Sequence, residues 1–346
     1  MTSIALNITS NSAARILWIG ILSFITSMII TPIYTRIAYK YQWWKRQRTE
    51  AWTGEVAVVY KQLHAEKHKR HIPTMAGLIF ITAILLVTVF FNLDRAQTWL
   101  PLAAMVGSAF IGLIDDVINI HGISSGIAGM RTKLKFILHS GVALVGGWWF
   151  YYKLGVDYLY IPGLKDAHVG IFIILIFWFV VIATANAVNI TDGLDGLAGG
   201  LLTTSFTAYS IICIFENKYD LAAFCIAIAG ALVSYTWFNI FPARFFMGDV
   251  GAFGLGTALG VVAMLTNTIY VLPVIGIVYL AETGSVIINR VSKKLRKGKK
   301  VFLSSPIHHH FEAIGWPETK VTMRFWLIGQ IGAVAGIALF LLRNFL

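Results

Sequence analysis

Charge is what this chain has least of. Only 13% of its 346 residues are Asp, Glu, Lys or Arg, where a soluble domain carries about 25%. That shortage excludes a large soluble core of ordinary composition, and repeated apolar runs of ~20 residues point to a polytopic membrane protein. Cysteine is nearly absent. Cys213 and Cys225 both lie in apolar runs, which argues against a disulfide framework or a cysteine-based zinc site. No strand-type alternation or repeat period stands out, so the expected fold is an all-α bundle. The N-terminus lacks the basic n-region and small-residue cleavage site of a signal peptide. Its early cation, Arg15, borders the first apolar run, which reads as a permanent helix.

Ten candidate spans are expected at about 14–35, 75–93, 100–117, 134–152, 170–189, 197–215, 221–240, 251–266, 269–289 and 325–343. The cations orient them. Nine fall in 36–74 and nine in 290–324; with Arg131, Lys133, Lys135 and Arg244 they put 22 of the 28 Lys and Arg on one side. The positive-inside rule makes that side cytoplasmic and places both termini outside. The net charge of +12 then belongs to a face that attracts anionic lipid or phosphorylated substrates; nucleic acid is not needed to explain it. The chain is read as one polytopic membrane domain, 1–346, with a cytoplasmic site built from loops near 61–77, 115–135, 186–200, 239–251 and 290–324.

Five aspartates share the cytoplasmic side: Asp115, Asp116, Asp192, Asp195 and Asp249. Each lies at or near an expected helix end, where a carboxylate close to hydrocarbon costs a few kcal/mol unless it is paired, solvated or metal-bound. The adjacent pair in GLIDDVINI points ~100° apart on a helix, so one carboxylate can meet a metal while the other orients a lysine or a reacting oxygen. A solvated helix end is the plainer alternative. In NAVNITDGLDGLAGG, Asn189, Asp192 and Asp195 recur every third residue and can share a face, while the glycines allow close backbone approach. The alternative there is an Asx-rich turn. Asp249, in FPARFFMGDVGAFG, follows Phe245 and Phe246 and suits either Mg²⁺ against phosphate oxygens or a helix N-cap.

Three further stretches carry candidates. SSPIHHHFE sets His308, His309 and His310 beside Glu312; three consecutive histidines cannot all face one ion on a helix, so the run reads as diphosphate binding or support of the carboxylates, with a plain loop cluster as the alternative. HKRHIPTMAG brings Lys69 and Arg70 to the second span, as a phosphate site or as ordinary basic flanking. Glu282 is an intramembrane carboxylate and a lesser candidate; Pro273 is positioned to kink the same helix.

PTMAG, GLIDDV, NAVNITDGLDGLAGG, FMGDVG and PIHHHFE, in this order from about residue 60 to the C-terminus, resemble the motifs of the polyprenyl-phosphate N-acetylhexosamine-1-phosphate transferases. The tail HHHFEAIGWPETKVTMRFW is similar to that of the branch acting on phospho-N-acetylmuramoyl-pentapeptide. The resemblance implies transfer of phospho-MurNAc-pentapeptide from UDP-MurNAc-pentapeptide to undecaprenyl phosphate in the bacterial cytoplasmic membrane, with Mg²⁺ as cofactor and a homodimer as the assembly. It implies Asp115 as base or nucleophile, Asp116 as its essential neighbour and Asp249 as the Mg²⁺ ligand. Asn186, Asn189, Asp192, Asp195, Asn239 and Phe246 match the nucleotide-sugar pocket, and Lys69, Thr74 and His308 to His310 further active-site positions. The chain departs from the family's GTPTMGG at His71, Ile72 and Ala76, and from its usual Ser at Ala252. These change loop shape and leave the charged residues intact. Two rival functions remain at this stage: GlcNAc-1-phosphate transfer, disfavoured by the tail, and secondary transport of an anionic solute, which usually places its sites at the bilayer midplane and shows repeats.

Overall fold

A computed structural model describes residues 9–44, 71–122, 129–163 and 165–343. Twelve α-helices follow one another in these residues: α1 (Ser10–Lys40), α2 (Gly77–Phe91), α3 (Trp99–His121), α4 (Thr132–Tyr152), α5 (Ile173–Thr191), α6 (Leu197–Phe215), α7 (Tyr219–Asn239), α8 (Gly248–Leu265), α9 (Leu272–Ile275), α10 (Ile277–Leu295), α11 (Ile307–Ala313) and α12 (Glu318–Leu342). Seven of the described helices (α1, α3, α5 with the turn before it, α6, α7, α8 and α12) are long and apolar enough to cross a membrane, and α2 is apolar but shorter. The all-α membrane class follows from that. The windows expected at 134–152 and 269–289 hold helices that fall short of this standard.

Two local features depart from the sequence expectation. Between α4 and α5 the chain makes an antiparallel hairpin, β1 (Tyr158–Ile161) against β2 (Lys165–His168), with Tyr158 opposite His168. Two four-residue strands are too short for an alternation to register. The ninth window is also broken. Pro273 sits in the first turn of α9, where its missing N–H leaves no bond unmade; Gly276 ends that turn and α10 restarts at Ile277. The stop falls at the glycine, three residues beyond the expected kink.

At the centre stands α8, with 89% of its apolar window buried, packed between α3 and α5 and touching α2. Hydrophobic burial does not draw helices together in lipid, so close approach of small residues does. A Cβ at Gly112 of α3 would overlap the Asp249 carbonyl, one at Gly77 would overlap Gly251, and one at Gly256 would lie 2.7 Å from Ala185 Cα. These contacts seat the first turn of α8 against α3 and α2, and its middle against α5. The hairpin marks the other end of the bundle: Tyr160 N donates to Asn267 Oδ1 just past α8, and the Arg343 guanidinium lies over the Tyr160 ring.

Candidate active site

Four helix ends meet where α8 begins. Asp115 and Asp116 come from α3, Lys135 from the first turn of α4, Asn189 from the last turn of α5 and Asp249 from the start of α8. Lys135 Nζ donates to Asp115 Oδ2 at 2.9 Å and also bonds Asp249 Oδ2. Both carboxylates are buried, as is Asp116. Asp115 Oδ1 accepts from Met130 N at 2.5 Å. Asp116 Oδ2 accepts from Val250 N at 3.2 Å, so the adjacent carboxylates do separate jobs, one facing the lysine and one clasping the start of α8. Asn189 Nδ2 lies 3.5 Å from Asp249 Oδ1, the outer limit of a hydrogen bond. Below the ammonium, the Phe253 ring gives Lys135 a cation–π contact at 4.4 Å.

The loops around this cluster are tied to each other. Phe246 N donates to the Pro73 carbonyl and Ala76 N to that of Phe246, which joins the PTMAG segment to FFMGD. Thr74 is fully buried: its carbonyl accepts from Tyr34 OH, and its hydroxyl has no hydrogen-bond partner among the described residues. Asn239 links two loops, accepting from Gly196 N at 2.9 Å and donating to the Phe245 carbonyl at 2.9 Å. Asp195 Oδ2 accepts from Ala243 N at 3.0 Å. Asp195 and Asn239 therefore brace the walls, whereas Asn186 is exposed and Asn189, Asp192 and Phe246 are half-buried at the surface of the site. Lys69 lies outside the described residues.

The three histidines diverge, as consecutive residues on a helix must. His308 Nδ1 meets Glu282 Oε2 at 2.9 Å, His309 Nδ1 meets Glu312 Oε2 at 2.7 Å, and His310 Nδ1 accepts from Leu303 N at 3.3 Å. Only His308 is fully buried, and it lies against Gly193 in the DGLDG turn.

Sequence reasoning missed Lys135, grouping it with the basic residues that flank membrane helices. A signal was present: it lies one residue inside the expected span at 134–152, so it is a cation within an apolar run. Among the described residues no group of three or more His, Cys, Asp or Glu is arranged to hold a metal. Asp115 and Asp249 nevertheless converge on one cationic atom from two helices. Hard oxygen donors in that number suit Mg²⁺, which is bound through one or two carboxylates together with substrate phosphates.

The family described as Glycosyl transferase family 4 matches residues 98–267, which run from the start of α3 past the end of α8. The phospho-N-acetylmuramoyl-pentapeptide-transferase of Chloroflexus aggregans is 37% identical over 342 residues, covering 95% of this chain and 90% of that protein. The Hydrogenobaculum protein of the same name is 36% identical, covering 93% and 92% of the two chains. That of Listeria welshimeri is 33% identical, covering 91% and 95%. Identity at this level over nearly the whole length, with the aspartates gathered at one end of the bundle, leads to one conclusion: the chain belongs to the phospho-N-acetylmuramoyl-pentapeptide transferase family.

Proposed function

We propose that the protein transfers phospho-MurNAc-pentapeptide from UDP-MurNAc-pentapeptide to undecaprenyl phosphate, giving lipid I and UMP for peptidoglycan synthesis. It does so in the bacterial cytoplasmic membrane, with both termini outside and the site on the cytoplasmic face. The observation that carries the reading is the bridge of Lys135 between Asp115 and Asp249, at helix ends where a water-borne nucleotide and a bilayer-borne lipid phosphate can meet. The chain is taken to act as a homodimer.

In the reaction an oxygen of the lipid phosphate attacks the β-phosphorus of the UDP-sugar, the bond from that phosphorus to the oxygen bridging it to the α-phosphate breaks, and UMP leaves with the bridging oxygen. Both reactants are anions, so the site must relieve their repulsion. Mg²⁺ held by Asp249, with Asp115 beside it, would supply charge neutralisation at the diphosphate and the departing UMP. Lys135 keeps the two carboxylates at a fixed separation and brings a positive charge to the same place. The second pKa of a phosphate monoester is about 6, so the attacking phosphate is already largely dianionic at neutral pH and needs orientation more than proton removal. Asp115 serves that orientation. With one oxygen on Met130 N and the other on Lys135, it is poorly placed to attack phosphorus itself, which favours direct transfer over an aspartyl-phosphate intermediate. Asp116 fixes the α3–α8 junction.

Asn189, Asp192 and Phe246 are the proposed contacts for the nucleotide-sugar, Asn186 extends that wall, and Asp195 and Asn239 shape it. Thr74 is the proposed neighbour of the phosphates, and the family resemblance assigns Lys69, outside the described residues, to the same role. The test is UMP release by the purified protein: activity that requires both substrates and falls at least ~10²-fold in Asp115→Asn and Asp249→Asn supports the reading, and full activity in either variant contradicts it. A phosphorylated Asp115 trapped without lipid acceptor would overturn direct transfer.

A further inference from the structure

Glu282 is fully buried in α10, and so is its partner His308. A carboxylate in that position is tolerated only when it is paired. Its Oε2 faces Nδ1 of His308 at 2.9 Å, and the His308 backbone N–H lies 3.5 Å from the same oxygen. With a carboxylate at Nδ1, the proton sits on Nδ1 and the ring plane is fixed, the relation by which a buried acid sets the tautomer of a working imidazole. The opposite nitrogen, Nε2, has no hydrogen-bond partner among the described residues. It is turned onto Gly193, where any Cβ would collide with it. Gly193 directly follows Asp192, half-buried at the end of α5. A buried ring nitrogen left unmatched is destabilising, and this one points at the turn proposed to receive the nucleotide-sugar.

We propose that Glu282 is a positioning residue: it acts through Nδ1 of His308 to present the Nε2 lone pair to the Asp192–Gly193 turn, where a hydroxyl of the bound nucleotide-sugar donates the missing hydrogen bond. This rests on the transferase reading above. Gly193 is glycine because the imidazole needs the space that a side chain would fill.

The test measures kcat and KM for UMP release by the intact purified protein, with thermal unfolding recorded for every variant. His308→Ala and Glu282→Ala are each expected to lower kcat about 10²-fold. Because one acts through the other, the double variant should fall no more than about threefold below His308→Ala. Glu282→Gln, whose amide oxygen still accepts from Nδ1, is expected to recover kcat to within about fivefold of the unmodified protein. Gly193→Ala, whose Cβ would meet the buried imidazole, should lose activity and lower the unfolding temperature, while Glu282→Gln, which keeps the pair, keeps the proposal testable where Glu282→Ala fails to fold. Multiplying losses in the double variant, wild-type kcat in Glu282→Ala, or Glu282→Gln no better than Glu282→Ala would each overturn it. If His308→Ala is fully active while Asp249→Asn is dead, the positioning proposal fails and the transferase reading stands. If the unmodified protein releases no UMP, the transferase reading itself fails.

Discussion

At the proposed reacting end of the molecule Lys135 ties two helices together, because two buried carboxylates on different helices share its ammonium. Removing it leaves Asp115 and Asp249 buried beside each other without that cation, a change of several kcal/mol in such sites. Lys135→Ala is therefore expected to abolish UMP release and to lower the unfolding temperature, and Lys135→Met, which restores the stem but not the charge, should recover neither in full. Full recovery of both would make the lysine merely structural. A second residue-scale contrast separates contact from brace. Asp192→Ala should cut turnover at unchanged stability, whereas Asn239→Ala, which loses two buried hydrogen bonds, should destabilise by about 1–3 kcal/mol. The aspartates of the site were legible in the sequence because apolar surroundings make a carboxylate conspicuous. Lys135 was not, since basic residues crowd the segments 36–74, 131–135 and 290–324 and one more reads as ordinary flanking charge. Nor does a sequence tell a buried Asp195 from a half-buried Asp192: both are Asx residues at one spacing, and burial together with the Ala243 contact of Asp195 distinguishes them.

At the scale of elements, the site depends on how closely α3 and α8 approach. Gly112 sits where a side chain would meet the Asp249 backbone, and Gly254 where one would crowd Ala109 of α3, so the helix ends that carry Asp115 and Asp249 are positioned by residues with no chemistry of their own. Gly112→Val is expected to separate these ends and to lose activity with a clear drop in unfolding temperature; a fully active, stable variant would mean the helices tolerate a wider gap. Most helices could be read from apolar runs alone, and the expected window 197–215 coincides with α6. The break at Gly276 and the small hairpin could not. A glycine in an apolar run reads the same whether it is packed or ends a helix, and four-residue strands are too short to show a period.

The whole molecule is a bundle polarised end to end. Acidic residues and the lysine bridge gather where α8 begins, and the hairpin lies where it ends. If the positive face is cytoplasmic, a cysteine reporter at Lys299 should be labelled by a membrane-impermeant thiol reagent only after right-side-out vesicles are opened. A reporter at Lys153 should be labelled without opening them. The reverse pattern would invert the topology. Native Cys213 and Cys225 are buried, so they offer little background. The metal is tested at this scale too. Chelation should stop turnover and added Mg²⁺ restore it, with Asp249→Asn requiring far more Mg²⁺ than the unmodified protein. The measurement that bears most directly on the central claim is UMP release by the purified protein with undecaprenyl phosphate and Mg²⁺, offered UDP-MurNAc-pentapeptide or UDP-GlcNAc in parallel. Release from the pentapeptide substrate alone, lost in Asp249→Asn, is the predicted result, and release from UDP-GlcNAc alone, or from neither, would contradict it.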